Sequence, residues 1–157
     1  MTKKRVLVIV VFLAVLGVAL WYALVGPESK ETKDILNGRE RLILLDGEEM
    51  TGTVIAPGEG NDLWVDIRLN GETLVLLPFG EEHTLEVIQK SGRNKIRMTS
   101  ESVYMEEADC PGHDCIDTGS ITRDNWETRP LGPISCLPHK LVIYATDDIR
   151  YLESDGT

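Results

Sequence analysis

The sequence is poor in aromatic residues, with two phenylalanines, three tryptophans and four tyrosines among 157 residues, and poor in positive charge, with 16 Lys and Arg against 26 acidic residues. The net charge of -10 argues against nucleic acid as a partner, because polyanions are held by clustered cations that displace counterions. No Gly-x-Ser-x-Gly, Walker A loop, dinucleotide fingerprint or His-Glu-x-x-His occurs, so no enzyme is expected. Cysteine is confined to three positions in the last third of the chain, and long 3.6-residue periodicity is missing after Pro27. At 42% hydrophobic residues the chain is nonetheless too apolar for disorder, and its length suits one domain plus something smaller.

The most prominent feature is an apolar run near the N-terminus. Val6 to Val25 carry no charge over twenty residues, which as a helix spans about 30 Å and matches a bilayer's hydrocarbon core. Lys3, Lys4 and Arg5 precede the run, and Trp21 and Tyr22 suit the headgroup boundary near its other end. The positive-inside rule then keeps the N-terminus in the cytoplasm and exports the remainder of the chain. A cleaved signal has a core of about 7–15 residues and a small-x-small site, which fits less well. After Pro27 come all 26 acidic residues but only 13 basic ones, so the expected exported part carries a net charge of -13. The reading is residues 1–5 cytoplasmic, 6–25 a membrane anchor, 26–40 a polar tether, 41–150 an extracytoplasmic β-domain and 151–157 a flexible tail.

Strand signals fill the expected domain. Leu63, Val65, Ile67 and Leu69 alternate with Trp64, Asp66 and Arg68, and Asn70-Gly71 comes directly after them. A two-residue Asn-Gly loop favours a type I′ turn, setting Leu69 opposite Glu72, Ile67 opposite Leu74 and Val65 opposite Leu76. Asp46-Gly47 marks a second hairpin, between Leu42–Leu45 and Glu48–Ile55, and Gly92 with Asn94 divides Leu85–Lys90 from Lys95–Thr99. Short apolar runs at Val103–Met105, Ile134–Leu137 and Leu141–Ala145 complete an all-β pattern, expected to form a small antiparallel barrel or sandwich. His83, after Glu81-Glu82, reads as a solvated loop residue, and the pairs Glu106-Glu107 and Asp147-Asp148 read as solvated edges.

The cysteines lie in Cys110-Pro-Gly-His-Asp-Cys115 and in Ile134-Ser-Cys136-Leu-Pro-His139-Lys140. With Gly119-Ser-Ile121 between them and the apolar stretch Lys140 to Tyr144 behind, this pattern resembles the NusG domain II family, from near Trp64 to near Tyr144. The resemblance implies a small β-rich domain, inserted in the transcription factor NusG of some bacteria and otherwise found as a stand-alone, membrane-anchored protein of unassigned activity. The sequence is similar to the second kind. It departs from the family pattern in the longer stretch from Asp117 to Gly132 and over residues 41–60.

Three chemistries fit the thiols. One is a structural disulfide plus a leftover thiol, with about 2 kcal/mol from closing Cys110 to Cys115 and about 3.5 kcal/mol from closing either to Cys136, a gap that selects no pairing. Another is a metal site on the three cysteines with His113 or His139, although Cys-x4-Cys is wide for a zinc knuckle. The last is thiol redox work, although Pro111 and Gly112 suggest a turn where an exchange-active pair usually opens a helix. Trp126, between Arg123 and Arg129, is the aromatic residue best suited to a partner contact. The sites expected to matter are therefore Cys110, Cys115, Cys136, His139 and Trp126. The resulting expectation is a non-catalytic interaction or accessory module with a protein partner and no assigned cofactor or metal. The alternative is a thiol-redox or metal-dependent accessory of a membrane electron-transfer or transport complex.

Overall fold

The computed structural model describes residues 35–55 and 62–148. Within them the elements run β1 (Arg41–Leu45), β2 (Glu48–Glu49), β3 (Val54–Ile55), β4 (Trp64–Leu69), β5 (Glu72–Pro78), β6 (His83–Gln89), β7 (Gly92–Met98), β8 (Ser102–Ala108), α1 (Asp114–Asp117), β9 (Ile121–Thr122), β10 (Ile134–Cys136) and β11 (Leu141–Thr146). They make a six-stranded sheet in the order β2-β1-β6-β7-β8-β9 and a five-stranded sheet in the order β10-β11-β4-β5-β3. The two sheets do not close into a barrel, so of the two architectures expected the barrel is set aside. Pairing is antiparallel except where β3 runs parallel to β5.

Alternation builds the core. Val65, Ile67 and Leu69 of β4, Leu85 and Val87 of β6, Ile96 and Met98 of β7, and Leu141 and Ile143 of β11 all join one apolar cluster drawn from both sheets. Residues at period two share a face, and here that face turns to the opposite sheet. The turns behave as their sequences direct: Asn70 and Gly71 both take positive φ, at 55° and 88°, as a type I′ loop needs.

Several details differ from the sequence reading. In the β4–β5 hairpin Leu69 does face Glu72, but a bulge at Ile67/Arg68 shifts the register, so Ile67 faces Val75 and Val65 faces Leu77. The extra residue keeps Val75 and Leu77 in the core and leaves the Thr73 hydroxyl to donate to Asp66 Oδ1 at 3.0 Å. The second hairpin is shorter than expected, since only Glu48–Glu49 pairs with β1 and Val54–Ile55 joins the other sheet. The third turn lies at Lys90-Ser91, while Gly92 opens β7 and Asn94 sits inside it. Leu36, within the stretch read as tether, is buried at 3% exposure. The anchor expected over residues 6–25 and the tail over 151–157 lie outside the described residues, among which no helix is long and apolar enough to cross a membrane.

His83 is not a solvated loop residue. It opens β6, with Nδ1 2.7 Å from Asp46 Oδ2 and Nε2 3.3 Å from Glu81 Oε2, which ties the β1–β2 turn to β6. Burial works against its protonation, but the hydrogen bonds to Asp46 and Glu81 outweigh burial and raise its pKa. A raised folded pKa supplies stability that is complete below the ordinary value of about 6.5 and is lost as pH rises through the folded value. Urea unfolding between about pH 5.5 and 8.5 is therefore expected to show wild type losing up to about 1 kcal/mol relative to His83→Gln. Parallel curves for the two proteins would remove this role from His83.

Candidate thiol site

Three separate segments bring the cysteines together. Cys110 lies just past the end of β8, and the turn through Gly112 (φ 97°) and His113 (φ 57°) reverses the chain into α1. There the Ile116 N–H donates to the His113 carbonyl at 2.8 Å. That reversal places Cys115 Sγ 3.5 Å from Cys110 Sγ. Cys136 ends β10, where it pairs with Leu141 across the hairpin to β11. All three sulfurs lie within 4.8 Å of one another, and the residues are 3%, 2% and 1% exposed. All three cysteines are free in the structure, which shows no disulfide among them.

His139 closes the site from the β10–β11 connection, held there by the Lys140 N–H to Leu137 carbonyl bond of 3.1 Å. Its side chain is 1% exposed. Nδ1 stands 2.7 Å from Asn94 Oδ1 and Nε2 stands 3.5 Å from Asp109 Oδ1. The His139 carbonyl accepts from Gln89 Nε2 at 2.9 Å. Asn94 is fully buried, and its amide also donates to Met105 Sδ at 3.5 Å. Gly92 makes this packing possible, because a Cβ there would lie 2.3 Å from Asp109 Oδ1 and 2.4 Å from His139 Nε2.

The three thiols are electrostatically unequal. Burial pushes Cys110 and Cys115 up, whereas at Cys136 hydrogen bonds from His139 and Asn94 overcome burial and bring the pKa down to about 6. The His139 imidazole is raised, since its hydrogen bond to Cys136 and the charges of Cys136 and Asp109 outweigh its burial. The arrangement is a buried cysteine–histidine pair beside two further thiols, with the imidazole oriented by the Asn94 amide oxygen. Thiolate, not thiol, is the nucleophile and the metal ligand, and among the three sulfurs the shift favours that form at Cys136.

The remaining residues singled out from the sequence fall elsewhere. Trp126 is half-buried against the core, with its backbone N–H donating to the Thr122 carbonyl at 3.1 Å. Arg123 binds Asp62 Oδ1 at 2.8 Å and lies over the Phe79 ring, and Arg129 donates to the Thr118 carbonyl at 2.6 Å and to that of Gly132. Both arginines thus fasten the loop to the domain. His113 is exposed on its turn and outside the sulfur group. Glu106 and Glu107 both pair with Lys95. Sequence reasoning missed Gly92, Asn94, Asp109 and Gln89. The signal was there: with the turn moved to Lys90-Ser91, the spacing 92, 94, 96, 98 puts Asn94 on the same inward face as Ile96 and Met98.

Among solved structures, the chain resembles a DUF1312 family protein from Ruminococcus gnavus (24% identity, TM-score 0.43, covering 54% of this chain and 97% of that one). It also resembles the Lin0431 protein from Listeria innocua (18%, TM-score 0.47, covering 55% and 97%). A third, a DUF1312 family protein from Enterococcus faecalis, is 20% identical, with TM-score 0.46 and coverage of 54% and 95%. No curated protein matches the chain. Residues 7–148 match the family described as NusG domain II, and the chain belongs to it.

Proposed function

We propose that the chain is a membrane-anchored, extracytoplasmic accessory module whose working part is the three-thiol cluster, cycling between a dithiol and a disulfide. The observation that carries this reading is the convergence of Cys110, Cys115 and Cys136, from three segments, to within 4.8 Å. Cys136 is the attacking sulfur because His139 and Asn94, packed beside it, bring its pKa down while burial raises those of Cys110 and Cys115. Cys110 or Cys115 completes the bond, and two electrons and two protons pass to an acceptor disulfide. The uncharged stretch over residues 6–25 with three cations before it supports the anchor and its orientation. Leu137, next to Cys136 and 81% exposed, is the apolar side chain that a protein partner would meet beside the site.

Mass spectrometry after alkylation at poised thiol–disulfide ratios tests the cycle. Reduced protein is expected to take three labels and oxidised protein one, with Cys136 in the bridge. Three labels at every potential would end the redox reading. Protease shaving of intact cells tests the placement, which requires that the β-domain be digested from outside.

A further inference from the structure

We propose that the reduced cluster binds one Cu(I) ion through the sulfurs of Cys110, Cys115 and Cys136, in a trigonal all-sulfur site. It rests on the preceding reading in one respect only, that the three sulfurs are present as thiols in the reduced protein. A thiolate-bound metal stands about 2.3 Å from each sulfur, so a trigonal centre sets its ligands about 4 Å apart. The 3.5 Å separation of Cys110 and Cys115, within a group spanning at most 4.8 Å, lies close to that spacing.

Ligand number chooses the ion. Soft thiolates select Cu(I) and Zn(II), but a structural zinc site wants four protein ligands. Among the described residues no imidazole or carboxylate joins the three sulfurs. The two nitrogens of His139 face Asn94 and Asp109, and the cysteines are 97% or more buried, so neither the imidazole nor bulk solvent stands ready as a fourth ligand. A monovalent ion content with three soft ligands fits this dry cage. Surrounding donors suit the excess negative charge of three thiolates: the backbone N–H of His113 reaches Cys110, and the backbone N–H of His139 and the Asn94 amide reach Cys136. Such outer partners orient ligands and tune affinity.

The test uses the full chain, purified under reductant without oxygen and titrated with Cu(I) against bicinchoninate as competitor. One copper per chain is expected, with the emission of a Cu(I)–thiolate centre and three sulfurs in its X-ray absorption. Bound copper should also shield all three cysteines from alkylation, a readout that needs no variant. Cys110→Ser, Cys115→Ser and Cys136→Ser should each weaken retention by more than roughly 100-fold, while Ser135→Ala leaves it unchanged. Loss of all copper to the competitor overturns the inference. So does zinc retained as firmly as copper, or copper that leaves the cysteines open to alkylation. If disulfide cycling is seen without copper retention, this inference alone falls; if copper binds and no disulfide forms, the redox reading alone falls.

Discussion

Replacing Gly92 by alanine is expected to lower the unfolding free energy by roughly 3 kcal/mol, combining a strained backbone with an overpacked site. The glycine holds φ at 140°, a conformation that side chains rarely adopt, and the new Cβ would meet Asp109 Oδ1 at 2.3 Å and His139 Nε2 at 2.4 Å. Asp109, with half its side chain in solvent, can swing aside. His139, 1% exposed, can move only by leaving Asn94. Gly119→Ala is the control, since Gly119 also has positive φ but nothing lies within 4 Å of its missing Cβ. It should cost only about 1 kcal/mol. Urea unfolding read by tryptophan fluorescence compares the two, and equal losses would mean that crowding at His139 contributes nothing.

The second large effect concerns the buried amide. Asn94→Leu keeps the branched outline but leaves the His139 ring nitrogen without the oxygen now 2.7 Å away, at a cost of about 2–3 kcal/mol for a buried unsatisfied donor. Removing both polar partners is gentler than removing one. The double variant Asn94→Leu/His139→Phe is therefore expected to recover at least about 1 kcal/mol of the single variant's loss. Strictly additive losses would show that the two side chains do not depend on each other. The single variant should also slow alkylation of Cys136, because it removes one of that sulfur's hydrogen-bond donors and loosens another.

The hairpin through Asn70-Gly71 and the inward alternation of β4 were legible in the sequence because turn chemistry and apolar period agree there. The bulge was not, since Leu74-Val75-Leu76-Leu77 is apolar throughout and any register would bury some of it. The register that forms brings the Thr73 hydroxyl to Asp66, a cross-strand polar contact invisible to periodicity. The thiol site was half legible. Its cysteines and His139 stand out by residue type, and the family pattern groups them, but the loop-closure energies of the possible pairings differ too little to say which sulfurs meet. That all three meet depends on α1 folding back against β8 and β10. Asn94 and Gly92 were hidden by their own composition: in a sequence they read as turn residues, and here they belong to a strand.

The order of strands in the five-stranded sheet bears on how the protein is made. β11 lies between β10 and β4, although Leu69, the last residue of β4, precedes Leu141, the first of β11, by 72 positions. A polypeptide leaving the ribosome can close β6, β7 and β8 early as neighbouring hairpins, but one flank of β4 stays bare until almost everything else has emerged. Maturation is thus back-loaded: the nascent chain travels with an open seam, and the sulfur cluster, whose third member waits on the β10–β11 hairpin, is assembled only when the seam is sewn shut.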